Sequence, residues 1–170
     1  MKALRILWVC VGLFGCGAEN ALGGSVGELF PLTVSRVEVL RNDEAIQVSY
    51  YSNRDTFLDV VVRVVVSIRD PDGGTLDLRA PVKIALEGEA EPGHQRTSVA
   101  HAPGGEAVRT FPNVKKGDLL LTEIGLEGQP SKGNFSMLFE TSGGDLGQGR
   151  TLTGTFSVPR TKDAGYGPLP

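Results

Sequence analysis

Cysteine is scarce in this chain of 170 residues: the only two, Cys10 and Cys16, both lie near the amino terminus. Beyond residue 16 the sequence therefore has no disulfide, no thiol nucleophile and no cysteine ligand for a metal. Tryptophan occurs once, as Trp8, and histidine only twice, as His94 and His101. The stability of the rest of the chain must come from packing, and chemistry that needs cysteine or several histidines is excluded.

A hydrophobic run long enough to cross a bilayer is also missing near the start of the chain. The apolar run there covers residues 6–14, whereas a spanning helix needs about 20 apolar residues. Lys2 and Arg5 precede this run. A short positive segment followed by a short apolar one is typical of an export signal peptide, which here forms a helical segment ahead of the folded protein.

The apolar run ends in Leu13-Phe14-Gly15-Cys16, which resembles the lipobox of bacterial lipoproteins. The resemblance implies that residues 1–15 are a lipoprotein signal peptide and that Cys16 becomes the acylated, membrane-anchored amino terminus. Gly17 follows the cysteine where an aspartate favours inner-membrane retention, so the resemblance implies the outer membrane. An ordinary secretory peptide, cleaved at a small residue, is the alternative.

Neither sign of charge dominates, with 17 basic and 20 acidic residues and a net charge of −3. Removal of residues 1–15 takes Lys2 and Arg5 and leaves 15 basic against 20 acidic residues. This balance argues against nucleic acid and against a polybasic membrane surface as partners. The apolar content of 40% is enough for the core of a single domain.

Frequent turn residues and alternating apolar residues predict an all-β protein. The 23 glycines and 10 prolines interrupt the chain at short intervals, and we expect about nine strands. Because most strands alternate apolar with polar residues, we expect antiparallel strands in a two-sheet sandwich. We assign 16–30 to the lipidated cysteine and a flexible Gly-rich tether, 31–160 to the β-sandwich domain and 161–170 to a flexible tail.

The strongest predicted strand covers residues 57–68, where β-branched valines dominate. The turn sequence Asp70-Pro71-Asp72-Gly73-Gly74 follows it. This combination resembles the Ig-like modules of bacterial envelope proteins, which implies an Ig-like type of sandwich but no particular function.

The second face of this strand offers a candidate partner-binding surface. Val61, Arg63 and Val65 alternate on the side opposite the continuous aliphatic face. If the other sheet leaves that side uncovered, the two valines form an exposed apolar stripe around the arginine, of the kind that marks partner surfaces. The alternative is that neighbouring side chains or loops cover it.

The acidic residues suggest one candidate metal site, which would bind calcium. The candidate ligands are Glu87, Glu89 and Glu91, which alternate and could converge in an extended loop, with Asp70 and Asp72 of the turn. Aspartates in turns also serve the backbone without any metal.

No catalytic residue and no cofactor motif is assigned. The G-x-S-x-G match at residues 23–27 lacks the strand and the helix that a catalytic serine of that type needs. The two histidines, seven residues apart, are expected on opposite faces of one extended strand.

These observations predict a lipid-anchored envelope protein that presents a β-sandwich for binding or structural roles. Its partners would be the membrane, through Cys16, and an unidentified envelope protein. One alternative is a small lipid-anchored hydrolase or carbohydrate-active domain, whose site assembles from scattered carboxylates. A further alternative is a calcium-dependent adhesion module.

Overall fold

The protein folds as two β-sheets packed face to face, as a computed structural model shows for residues 19–54, 57–70, 72–104 and 106–164. The predicted all-β sandwich is therefore confirmed. The predicted signal segment 1–15 and Cys16 lie outside the described residues. The strands are β1 (Ala21–Gly23), β2 (Arg36–Arg41), β3 (Ala45–Arg54), β4 (Phe57–Ser67), β5 (Val82–Ala85), β6 (Glu89–Glu91), β7 (His94–Gln95), β8 (Thr97–Ala102), β9 (Arg109–Thr110), β10 (Val114–Glu123), β11 (Ser131–Phe139), β12 (Thr151–Val158) and β13 (Lys162–Asp163).

Each sheet is built on a meander of three consecutive strands. Sheet I has the order β1-β12-β11-β10-β5, sheet II has the order β13-β2-β3-β4-β8-β9, and β6 and β7 form a separate two-stranded hairpin. Neighbouring strands are antiparallel except β13 and β2, which pair in parallel. An Ig sandwich divides its strands A–G differently, so the likeness to Ig-like modules is one of architecture and not of strand order.

Alternation places the core between the sheets as the sequence predicts. In β4, Val62, Val64 and Val66 are buried against sheet I residues such as Phe156 and Leu152 within one apolar cluster. The alternation of apolar and polar residues at 151–158 predicts a strand with the observed bounds of β12. The sequence also predicts a short strand at 75–78, and this is wrong, since only an isolated bridge between Arg69 and Thr75 forms there.

Glycines and aromatic rings face each other directly across two strands of sheet I. Phe135 of β11 lies opposite Gly154 of β12, and Phe156 of β12 lies opposite Gly133 of β11. A Cβ added at Gly154 would come within 2.4 Å of Phe135 Cζ. The aromatic rings thus occupy the space that the missing side chains leave, which closes the core over both glycines.

The side chain of Tyr50, which belongs to sheet II, extends into the space beside Gly154 of sheet I. It is fully buried, and its hydroxyl donates a hydrogen bond to the Thr155 carbonyl at 3.1 Å. Burial raises the pKa of Tyr50 well above its ordinary value, so the phenol remains a donor at every physiological pH. This bond ties the two sheets together at the level of the two glycines.

The predicted tether is wrong for the part that the structure describes, because the segment from Asn20 packs into the domain. β1 pairs with β12 along the edge of sheet I, and a 3-10 helix follows at Ser25–Glu28. Val26 of this helix is fully buried in the core cluster. The reason lies in the glycines: a Cβ at Gly24 would meet the Thr151 carbonyl oxygen at 2.4 Å, so this glycine permits close packing rather than flexibility.

The first residues of the predicted tail also belong to the domain. Thr161 is buried and donates its N–H to the Gln129 carbonyl at 2.7 Å. β13 then pairs with Leu40 and Arg41 of β2. Residues 165–170 lie outside the described part of the chain.

We call the end of the sandwich at which the chain joins β1 the base and the opposite end the apex. At the base, the Asn20 side chain accepts the Ser157 N–H at 2.8 Å. The β10–β11 loop 124–130 and the β2–β3 turn 42–44 lie at the same end.

At the apex, loop 140–150 contacts β9, where Thr110 donates its N–H to Asp145 at 2.8 Å. This bond and the Thr110 hydroxyl lower the pKa of Asp145.

Candidate functional site

A cavity of about 270 Å³ at the apex combines apolar walls with a carboxylate, an imidazole and hydroxyl groups. It lies where β3, β4 and β8 reach the apex, beside the segment that leads from the 3-10 helix to β2. Its lining residues are Phe30, Pro31, Thr33, Ser52, Asp59, Val61, His101 and Pro103. Apolar walls with a few convergent polar groups are typical of ligand sites.

His101 is held in one orientation by two contacts. Its ring stacks on Phe30, with centroids 4.0 Å apart and planes 15° from parallel. Its Nδ1 lies 2.8 Å from the Val61 carbonyl oxygen, which can only accept a hydrogen bond. Nδ1 must therefore carry a proton, and whenever the ring is neutral Nε2 is left as an acceptor.

Asp59 adds a carboxylate to the same cavity. Asp59 is only 8% exposed, and its Oδ1 accepts the Gly104 N–H at 2.5 Å. Ser52 lies directly opposite it on β3. The cavity thus offers a hydroxyl, a carboxylate and an imidazole acceptor between proline and phenylalanine walls.

The sequence analysis missed this cavity because Phe30 and His101 are far apart in the chain. Phe30 lies in the segment interpreted as a tether, and His101 was expected only as one of two histidines on opposite faces of an extended strand. The one available signal was an aromatic residue followed by proline at the end of a Gly-rich stretch. His94, by contrast, is exposed, and its Nδ1 lies 3.3 Å from the Pro92 carbonyl oxygen.

The candidate stripe Val61, Arg63 and Val65 does not form as an exposed surface. Val61 is 3% exposed, while Arg63 and Val65 are half-buried. At Val61 the cause is a β-bulge: Tyr50 pairs with Val62 and Tyr51 with Val60, so that Val61 is the extra residue. The bulge turns Val61 into the apical cavity instead of leaving it on the sheet surface.

The acidic calcium candidates are not brought together. Glu87 accepts the Gly117 N–H at 2.9 Å, Glu89 accepts the Gly93 N–H at 3.1 Å, and Glu91 forms an ion pair with Arg69 at 2.9 Å. Asp72 accepts the Gly74 N–H at 3.1 Å, and Asp70 takes part in the same turn through its backbone. No group of three or more potential metal-ligating side chains occurs in the described ranges.

A second depression, about 550 Å³ and more open, lies on the outer face of sheet I along β5, β10 and β11. Three of its charged residues are already engaged, since Lys83 pairs with Asp118 at 3.1 Å and Glu87 accepts the Gly117 N–H at 2.9 Å. Lys116 also lines it.

Among the described residues, no helix has the length and apolar character needed to cross a membrane. The comparisons with known proteins assign neither the fold nor the apical cavity to a family. No protein-family model matches the chain, and no curated protein or solved structure is significantly similar to it.

Proposed function

We propose that this protein is a lipid-anchored component of the bacterial envelope, acylated at Cys16 in the outer membrane, whose β-sandwich binds another envelope component. The observation that carries the proposal is the motif Leu13-Phe14-Gly15-Cys16 at the end of a short apolar run. An acylated amino-terminal cysteine anchors stably because it carries more than one acyl chain.

The apical cavity supports the binding role. It lies at the end of the sandwich opposite the point where the chain joins the domain, so an anchored domain carries it on the far side from that point. Its occupant would place an apolar group between Phe30 and Pro103 and a hydrogen-bond donor at His101 Nε2 or at the Asp59 carboxylate. A projecting side chain of a protein partner fits both requirements and the volume.

The anchor is tested by the intact mass of the amino-terminal peptide from a membrane fraction. We expect a peptide that begins at Cys16 and carries the added mass of a diacylglyceryl group, with or without a further acyl chain. Cys16→Ala is expected to lose this mass and to leave the membrane fraction. A mature terminus at another residue, without lipid, would contradict the proposal.

The binding role is tested by a photo-cross-linking amino acid at Thr33, an exposed residue of the cavity rim. We expect one adduct of defined mass in intact cells. The matched control is the same probe at Thr155, exposed on the outer face of sheet I, which should give none. His101→Ala in the Thr33 background should reduce the adduct about tenfold, the effect of losing about 1.4 kcal/mol. Equal adducts at both positions, or indifference to His101→Ala, would refute binding at the cavity.

A hydrolase is the second candidate, because Ser52, Asp59 and His101 line the same cavity. Nucleophilic catalysis needs a serine bonded to the histidine and a histidine oriented by the acid. Here His101 Nδ1 is bonded to the Val61 carbonyl, and Asp59 accepts the Gly104 N–H. Since neither catalytic bond is made among these described residues, the arrangement favours binding over catalysis.

A further inference from the structure

We propose that the base of the sandwich lies against the bilayer, held there by a tether of only three residues, 17–19. This inference rests on the proposed acylation of Cys16 and adds to it an orientation. The surface involved consists of loop 124–130, turn 42–44 and residues 159–163, together with the attachment point at Asn20.

The argument begins with the length of chain between the lipid and the domain. Asn20 is already fixed, since its side chain accepts the Ser157 N–H and Ala21 pairs with Thr155. Four peptide units separate the Cα atoms of Cys16 and Asn20, and in any conformation they span at most about 14 Å. The attachment point therefore stays within that distance of the acylated cysteine.

The domain is longer than the tether, so the short tether also determines which end of the domain lies near the membrane. β11 has nine residues and runs from base to apex, a length of about 30 Å. Because the attachment point is at the base, the base meets the lipid headgroups while the apex extends away from them. A 14-residue flexible tether would have allowed the domain to rotate freely.

The base carries an apolar side chain suited to this contact. Leu126 is 62% exposed, one of the most exposed large hydrophobic residues in the described ranges. Its loop is fixed by two bonds, from the Gly128 N–H to the Thr161 carbonyl at 2.9 Å and from the Thr161 N–H to the Gln129 carbonyl at 2.7 Å. Leu126 can therefore be inserted at the interface without the cost of ordering a mobile loop.

The charges of the base indicate that the short tether, and not electrostatic attraction to lipid headgroups, holds the base against the membrane. Exposed charges of both signs lie at the base, with acidic residues in slight excess: Lys132, Arg160 and Lys162 against Asp43, Glu44, Glu127 and Asp163. The acidic residues oppose an anionic surface, so the free base would bind a membrane weakly. A short covalent link supplies the high local concentration that makes a weak contact persistent.

The experiment compares two single-cysteine variants of the full acylated protein, Leu126→Cys at the base and Val108→Cys at the apex. Val108 is 61% exposed, which matches the exposure of Leu126. Each new thiol is the only free one, because Cys16 carries lipid and Cys10 is removed with the signal. The thiols are labelled with an environment-sensitive fluorophore in vesicles of phosphatidylethanolamine and phosphatidylglycerol that contain a headgroup-attached quencher.

We expect the label at position 126 to lose most of its fluorescence and the label at position 108 to keep it. Inserting about 15 Gly/Ser residues after Gly17, which adds a root-mean-square reach of about 21 Å, should restore the fluorescence at position 126 while the protein still floats with the vesicles. Protein that floats but shows equal quenching at both positions overturns the orientation alone. Quenching that survives the insertion overturns the tether as its cause, and protein that does not float overturns the anchor and the orientation together.

Discussion

Replacing Gly154 with valine is expected to lower the free energy of unfolding by about 3–4 kcal/mol, the sum of overpacking and one lost buried hydrogen bond. A Cβ at this position would lie 2.4 Å from Phe135 Cζ and 2.9 Å from the Tyr50 hydroxyl oxygen. Neither ring has room to retreat, because Phe135 and Tyr50 are both buried and pack edge to face at 6.0 Å. The displaced Tyr50 would also lose its bond to the Thr155 carbonyl.

Urea unfolding of Gly154→Val beside Thr155→Val provides the test. Thr155 is the next residue of β12, and its side chain is exposed on the outer face of sheet I. The control therefore introduces the same residue into the same strand and should change stability by less than about 0.5 kcal/mol. Similar unfolding midpoints for the two variants would show that the core adjusts to a larger side chain at Gly154 and that the glycine–aromatic pairing is not required for stability.

Replacing Val26 with aspartate is expected to cost at least about 3 kcal/mol, since a carboxylate would be buried without a partner. Val26 is fully buried in the core, although it belongs to the Gly-rich segment that composition assigns to a tether. Leu29→Asp is the matched control, because Leu29 is three residues away and 44% exposed. We expect that variant to unfold close to the wild type.

Chemical unfolding of both aspartate variants decides whether the segment around Val26 is part of the domain. A large loss for Val26→Asp with little change for Leu29→Asp would establish that the folded unit includes Val26. It would also exclude a flexible tether that extends to residue 30, which the proposed membrane orientation does not allow. If neither substitution changes the free energy of unfolding, this segment is instead a flexible tether.

Strands with regular alternation were predictable because their periodicity is local. β12 and the valine strand β4 follow from the pattern of apolar residues, and turn residues mark most of their ends. Their packing into two sheets follows from the need to bury one apolar face of each strand. The isolated bridge at Thr75 shows the limit, since a short apolar pattern forms a strand only where a neighbour is available to pair with it.

Glycine was the residue most open to misinterpretation. A sequence records that glycine lacks a side chain but not whether the freed space is filled. At Gly24 the Thr151 backbone fills it, and at Gly154 an aromatic ring does. A glycine in a flexible tether and a glycine beside a packed backbone or ring are the same residue in the sequence, and only contacts with distant strands distinguish them.

Sequence patterns alone predict the all-β class, the positions of the strong strands and the motif at Cys16, because each depends on residues close together in the chain. The fold was needed to show that Val61 leaves the sheet surface at a bulge, that Phe30 stacks on His101, and that the chain enters the domain at Asn20. The bulge depends on the register between β3 and β4, and the other two features depend on contacts between residues far apart in the chain, so no local pattern encodes them.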